Sequence, residues 1–154
     1  NNDNSDDITA LSLGFNGEGG FGGGIVYTTS DGDNSTALTA AEYTSFGAGV
    51  YYNAEDMPLG VSVAFDSIDR EDDTNESTSF HIGVDYEVGP GTAHVAYQTI
   101  DVDNSDVLDQ DIFEVAYSYD VNDNVTVTPA FFSEAETDGD DQDTGFVVET
   151  TFSF

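Results

Sequence analysis

The two histidines of the chain, His81 and His94, lie in neighbouring segments in which apolar and polar residues alternate. If residues 89–90 form the tip of a hairpin, Asp85 faces His94 and Gln98 faces His81. Such side chains can form polar pairs between adjacent strands. A metal site is the alternative chemistry, because imidazole is a common ligand of transition metals. No serine is marked as a nucleophile by an elbow or an oxyanion site, so enzymatic chemistry is not expected.

Carboxylates supply nearly all of the charge, with 32 Asp and Glu against 1 Lys or Arg and a formal net charge of -31. Nucleic acid and anionic lipid surfaces bind through basic side chains, so neither is an expected partner. Residues 101–106 and 138–143 place carboxylates at alternate positions, as calcium loops do, but lack the Gly and Glu of the helix-loop-helix site. We expect solvated loops that hold Ca²⁺ or Mg²⁺ only loosely, and no other cofactor. The carboxylates concerned are Asp101, Asp103, Asp106, Asp138 and Asp140.

These side chains are positioned by about nine segments with a hydrophobic residue at every second place, for example in residues 80–88, 112–121 and 146–154. A period of two predicts β-strands with one apolar and one polar face. No helical pattern separates the segments, and no run approaches the ~20 apolar residues of a membrane helix. The hydrophobic content of 38% is too high for a disordered acidic tail. The sequence therefore predicts one all-β domain over residues 1–154, folded as an antiparallel meander.

The connections between the predicted strands alternate between short and long. Short connections contain the Gly, Pro, Asn and Asp of tight hairpins, whereas the long ones are acidic and polar. A transmembrane β-barrel has this arrangement, with short periplasmic turns and longer extracellular loops. A soluble β-sandwich shows the same alternation within its strands and is the alternative fold. The predicted short connections are residues 16–20, 53–58, 88–91 and 121–124, and the long ones are 29–42, 67–78, 101–110 and 134–143.

The two faces of the predicted strands indicate opposite environments. In an up-and-down transmembrane barrel the apolar row contacts lipid, aromatic residues collect at its ends, and the other row lines a wet lumen. Phe80 and Tyr86 are such end markers, as are Phe113 and Tyr119. Pro129 falls on the apolar row, where its missing N–H predicts a local distortion. Carboxylates on the lumen row favour cations. The predicted pore-lining residues are Asp66, His81, Asp85, Glu87, His94, Gln98, Glu114, Asp120, Glu134 and Glu149.

Two stretches near the end of the chain carry a resemblance to a known family. Residues 143–154, DTGFVVETTFSF, resemble the C-terminal strand of Gram-negative general diffusion porins, which ends on an aromatic residue such as Phe154. Residues 117–132, YSYDVNDNVTVTPAFF, resemble the penultimate hairpin of those porins, above all the acidic ones of the Rhodobacter kind. The resemblance implies an outer-membrane barrel of sixteen strands, usually a homotrimer surrounded by lipid and lipopolysaccharide. It also implies passive passage of small hydrophilic solutes, and the lumen carboxylates predict a preference for cations.

Counting strands back from the end predicts which part of such a barrel this is. The last strand of a porin descends to the periplasmic rim, so the first of nine up-and-down strands also descends, and residues 1–7 begin in an extracellular loop. Closed bacterial barrels have an even number of strands. We therefore expect the C-terminal half, strands 8–16 of about sixteen. Two alternatives stay open: a complete eight-stranded structural or adhesive outer-membrane barrel, if residues 18–24 are not a hairpin, and a secreted soluble acidic protein that binds Ca²⁺.

Overall fold

The computed structural model describes residues 7–31, 42–53, 56–70, 76–103, 109–136 and 142–153, which form one antiparallel sheet of nine strands. Each strand pairs with the next in the chain, from β1 to β9, and no α-helix occurs in these residues. The predicted all-β, up-and-down architecture is confirmed. The strands are β1 (Asp7–Asn16), β2 (Phe21–Asp31), β3 (Tyr43–Asn53), β4 (Leu59–Arg70), β5 (Glu76–Val88), β6 (Gly91–Asp103), β7 (Gln110–Asn122), β8 (Val125–Glu136) and β9 (Gln142–Phe152), with a short 3₁₀ turn (Glu18–Gly20) between β1 and β2.

Two of the predicted short hairpins depend on glycine. Residues 89–90 join β5 to β6, and Gly89 has a φ of 63°, which two-residue hairpin turns require at their first position. Gly20 has a φ of 84°, and a Cβ there would lie 1.7 Å from the carbonyl oxygen of Asn53. The Gly-rich residues 18–24 therefore do form a hairpin, and β1 pairs with β2 along its whole length.

The strands run further toward the long connections than the sequence predicted. β4 extends to Arg70 and β5 begins at Glu76, so the predicted loop 67–78 is reduced to residues 71–75. The connection 54–58, predicted as a short one, is equally long. The predicted strict alternation of short and long connections was therefore wrong, because the strand ladder is made by backbone groups and continues through polar side chains.

The same extension changes the position of the predicted cation ligands. Asp101 and Asp103 lie within β6, opposite Thr78 and Glu76, and not in a loop as predicted. The remaining predicted loop ligands, Asp106, Asp138 and Asp140, lie outside the described residues.

The two faces of the sheet differ sharply in exposure. Cross-strand pairs such as Phe65 with Phe80 place the predicted apolar row on one face. That face is bare: Phe80 is 41% exposed, Val115 39% and Phe152 59%. Every buried residue among those described lies on the polar face and is Gly, Ala or Ser, for example Ala96. A β-sandwich would instead bury the apolar face against a second sheet.

Pro129 lies in β8 where the ladder to β7 is irregular. Paired positions run to Ala116 with Ala130 and resume at Tyr119 with Val127, and the register shifts between Asp120 and Asn122. A proline in a strand that pairs on both sides removes one N–H from the ladder. The predicted local distortion is therefore seen on the β7 side of Pro129.

The sheet is open at both sides within the described residues. Its order begins at β1 and ends at β9, and these two strands are not paired with each other. Because the number of strands is odd, β1 and β9 run in the same direction. The nine strands are one more than the eight-stranded alternative requires. Among the described residues, no helix is long and apolar enough to span a membrane.

Candidate functional site

The polar face of the sheet carries all ten residues that we predicted to line a pore. The register places them there strand by strand: Asp85 is opposite His94, Ala96 is opposite Glu114, and Thr128 is opposite Glu149. Seven of the ten are carboxylates and none is Lys or Arg. The only basic residue of the chain, Arg70, lies at the end of β4 next to the connection 71–75. The charge of this face is therefore negative, and its seven carboxylates lie on β4, β5, β7, β8 and β9.

The hairpin formed by β5 and β6 contains the predicted histidine pairs. Asp85 is opposite His94 and His81 is opposite Gln98, as the spacing predicted. The Nδ1 atom of His94 lies 2.7 Å from Oδ1 of Asp85, and the two side chains are 32% and 47% exposed. The imidazole of His94 is therefore held in one orientation by a carboxylate, with its Nε2 atom on the opposite side of the ring.

Hydroxyl groups on neighbouring strands orient two further carboxylates of this face. The hydroxyl of Ser79 donates to Oδ1 of Asp66, and that of Thr126 donates to Oδ1 of Asp120 at 2.7 Å. Sequence reasoning did not identify these two hydroxyl residues. The alternation of apolar and polar residues could have identified them, since each falls on the polar row of its strand.

Small residues fill the middle of the polar face. Ala116 in β7 is opposite Ala130 in β8, Ala96 in β6 is diagonal to Ala116, and each of the three is no more than 9% exposed because longer neighbours flank it. Gly83 continues this row in β5, opposite Ala96. A dry core would need large apolar side chains here to fill the space. The alanines and glycine instead leave room between the polar and charged side chains of this face.

The opposite face has aromatic pairs at two levels along the strands. Phe21 and Tyr52, next to the connections 17–20 and 54–58, have ring centroids 4.4 Å apart. Directly opposed aromatic pairs on four pairs of neighbouring strands lie at the second level, at or past the middle of the strands. Aromatic residues collect in this way at the two interfaces of a membrane barrel, and strands of 10 to 13 residues are long enough to cross one. The four pairs are Tyr27 with Phe46, Phe65 with Phe80, Tyr97 with Phe113, and Phe131 with Phe146.

Within the described part of the chain, no group of three or more His, Cys, Asp or Glu side chains is arranged to hold a metal ion. Asp101 and Asp103 share the face of Tyr97 and Val95, opposite to the face of the ten predicted pore-lining residues. The predicted loose binding of Ca²⁺ or Mg²⁺ therefore stays a prediction.

A sequence model of the family described as Gram-negative porin matches residues 1–144. The chain belongs to this family of outer-membrane channel proteins. The match includes the hairpin segment 117–132 and stops before most of the terminal segment 143–154, the other stretch that carried the resemblance. The closer likeness to acidic porins of the Rhodobacter kind stays a prediction. No curated protein shows significant similarity to the chain.

Proposed function

We propose that the acidic face of the sheet is the wall of a water-filled channel that passes small hydrophilic solutes passively and prefers cations. The observation that supports this is the separation of the faces: all seven carboxylates that we predicted to line the pore lie on the polar face, and the other face is apolar and exposed. Carboxylates along a hydrated pore raise the local concentration of cations and repel anions. The carboxylates occur on several successive strands, so the preference arises along the wall and not at one constriction.

Closure of this wall requires further strands. In hydrocarbon, every backbone N–H and C=O must be hydrogen-bonded, so the outer edges of β1 and β9 must be paired. These two strands run in the same direction, and antiparallel closure therefore needs an odd number of additional strands. Seven more strands would give the sixteen that the resemblance implies. We propose that the described sheet is the C-terminal half of such a barrel, within a homotrimer surrounded by lipid and lipopolysaccharide.

The cation preference can be tested by removing wall carboxylates. The intact protein, reconstituted in planar bilayers under a KCl gradient, should give a reversal potential on the cation-selective side. The variant Glu114→Gln/Glu149→Gln should shift that potential toward zero, because both residues are on the proposed wall. The matched control is Asp101→Asn/Asp103→Asn, which removes two carboxylates from the other face.

The outcomes separate the proposal from a general charge effect. The proposal predicts a larger shift for the wall variant than for the control. Anion preference in the unmodified protein, or equal shifts in both variants, would contradict the assignment of the acidic face to the channel.

A further inference from the structure

We propose that His81 and His94 form an open site for a divalent transition-metal ion of the Zn²⁺ class on the acidic face. These are the only two histidines of the chain. They lie on adjacent strands: the residue opposite His94 is Asp85, four residues after His81 in β5. Gly83 lies between His81 and Asp85 on the same face. The site is not one of the loop sites considered for Ca²⁺, and its binding chemistry does not depend on the proposed channel.

Both imidazole rings lean over the same glycine. A Cβ placed on Gly83 would lie 3.2 Å from Cε1 of His81 and 3.5 Å from Cε1 of His94. It would also lie 2.9 Å from Oγ of Ser62. Two rings and a hydroxyl thus converge on a point that any other residue would fill with a side chain. Two nitrogens bound to one Zn²⁺ at about 2.0–2.1 Å are within about 4 Å of each other, so one or both rings would turn toward the point above Gly83 to share an ion.

The carboxylate of Asp85 orients one of the two proposed ligands, His94. The carboxylate is 2.7 Å from Nδ1 of His94, which favours a proton on Nδ1 and leaves the lone pair on Nε2. Metal-bound histidines commonly have such a carboxylate partner, which fixes the tautomer and strengthens the ligand. Imidazole nitrogens suit Zn²⁺, Cu²⁺ and Ni²⁺ and not Ca²⁺ or Mg²⁺. Water completes the coordination shell, because the described residues supply no third His, Cys, Asp or Glu ligand.

The acidic surroundings favour a cation at this point. Ala64 is directly opposite His81 on β4, and Ala116 is directly opposite His94 on β7. The nearest ionisable groups on this face, besides Asp85 itself, are the diagonal neighbours Asp66, Glu87 and Glu114. All are acidic, so their field attracts a divalent ion to the wall. The same field acts on every cation, however, so selectivity for Zn²⁺ over Mg²⁺ must come from the two imidazoles.

Calorimetric titration of the intact, detergent-solubilised protein with Zn²⁺, and with Mg²⁺ in parallel, tests the site. We expect a one-to-one Zn²⁺ event that Mg²⁺ does not reproduce. His81→Gln and His94→Gln should each weaken it at least tenfold, and Asp85→Asn should weaken it by about 10- to 100-fold. Glu114→Gln is the control that removes a nearby charge and keeps both imidazoles. A Zn²⁺ affinity unchanged in both histidine variants, or reduced as much in the control, would overturn the proposal.

A second pair of variants tests the geometry with both histidines in place. Gly83→Ala adds a Cβ between the two rings and should abolish the Zn²⁺ event. Gly49→Ala is the matched control, because a Cβ at Gly49 would have its nearest neighbour at 3.4 Å. Cu²⁺ electron paramagnetic resonance should show two nitrogen ligands in the unmodified protein and in the control. A two-nitrogen spectrum in Gly83→Ala would contradict the convergence on Gly83. If the unmodified protein binds Zn²⁺ as expected but shows no cation preference in the conductance assay, only the channel proposal is contradicted.

Discussion

Carboxylates stand directly opposite each other at the end of the sheet that carries the long connections. Asp7 is opposite Asp31, and Glu134 is opposite Asp143. Like charges in this arrangement destabilise a strand pair. Arg70 is the only basic residue of the chain, so basic side chains cannot neutralise both pairs. We predict that Asp7→Asn/Asp143→Asn, which removes one charge from each pair, stabilises the protein at low salt and has little effect at high salt.

The magnitude follows from the geometry of the pairs. Directly opposite Cβ atoms are about 4.5–5.5 Å apart, which places the two carboxylates about 6 Å apart. Two unit charges at that distance in water repel by about 0.7 kcal/mol. A Debye length of about 30 Å at 0.01 M salt leaves most of this repulsion, whereas about 3 Å at 1 M leaves roughly one seventh. The double substitution should therefore add about 1 kcal/mol to the free energy of unfolding at 0.01 M and about 0.2 kcal/mol at 1 M.

The assay is urea unfolding in lipid vesicles at both salt concentrations, followed by tyrosine fluorescence. Glu18→Gln/Asp123→Asn is the control, because it removes two charges from the short connections, where neither residue is opposite another acid. A gain that is the same at 0.01 M and 1 M, or a control that gains as much as the paired variant, would show that the repulsion is not local to these pairs.

Two further predictions test the faces and the turns. Val84→Lys, in the middle of the apolar face, should destabilise the protein in vesicles by about 2–4 kcal/mol, whereas Gln98→Lys on the acidic face should cost much less; similar costs in urea unfolding would contradict the lipid assignment. Gly20→Ala should cost about 1–3 kcal/mol because the positive φ and the carbonyl of Asn53 both exclude a Cβ. Gly17→Ala, with its nearest contact at 3.4 Å, should be tolerated in the same measurement.

The faces and the hairpin partners were predictable from sequence because both are determined locally. Alternation with a period of two assigns each residue to a face once the strand is recognised. A two-residue turn then fixes the register, so the pairing of Asp85 with His94 followed from the position of residues 89–90. The same reasoning placed all ten predicted pore-lining residues on one face of the sheet.

Strand ends and pairs across the longer connections were not predictable in the same way. The hydrogen bond from Ser79 to Asp66 joins β4 to β5 across residues 71–75, whose length does not determine the register. Asp101 and Asp103 were assigned to a loop because the row of alternate apolar residues ends before them. The backbone pairing nevertheless continues to Asp103. The convergence of two imidazoles above Gly83 depends on side-chain rotamers, which residue spacing does not determine.

The exposed apolar face and the acidic face together restrict the environment in which this sheet is stable. In water alone, a row of large side chains such as Phe80, Val115 and Phe152 would form a contiguous apolar patch that promotes association. In hydrocarbon alone, the carboxylates of the other face could not remain charged without a large desolvation cost. A curved sheet with lipid outside and water inside satisfies both faces. Since unpaired strand edges are excluded from hydrocarbon, the sheet can occupy that position only if β1 and β9 are paired with further strands, so closure of the barrel is a condition for stability as well as for transport.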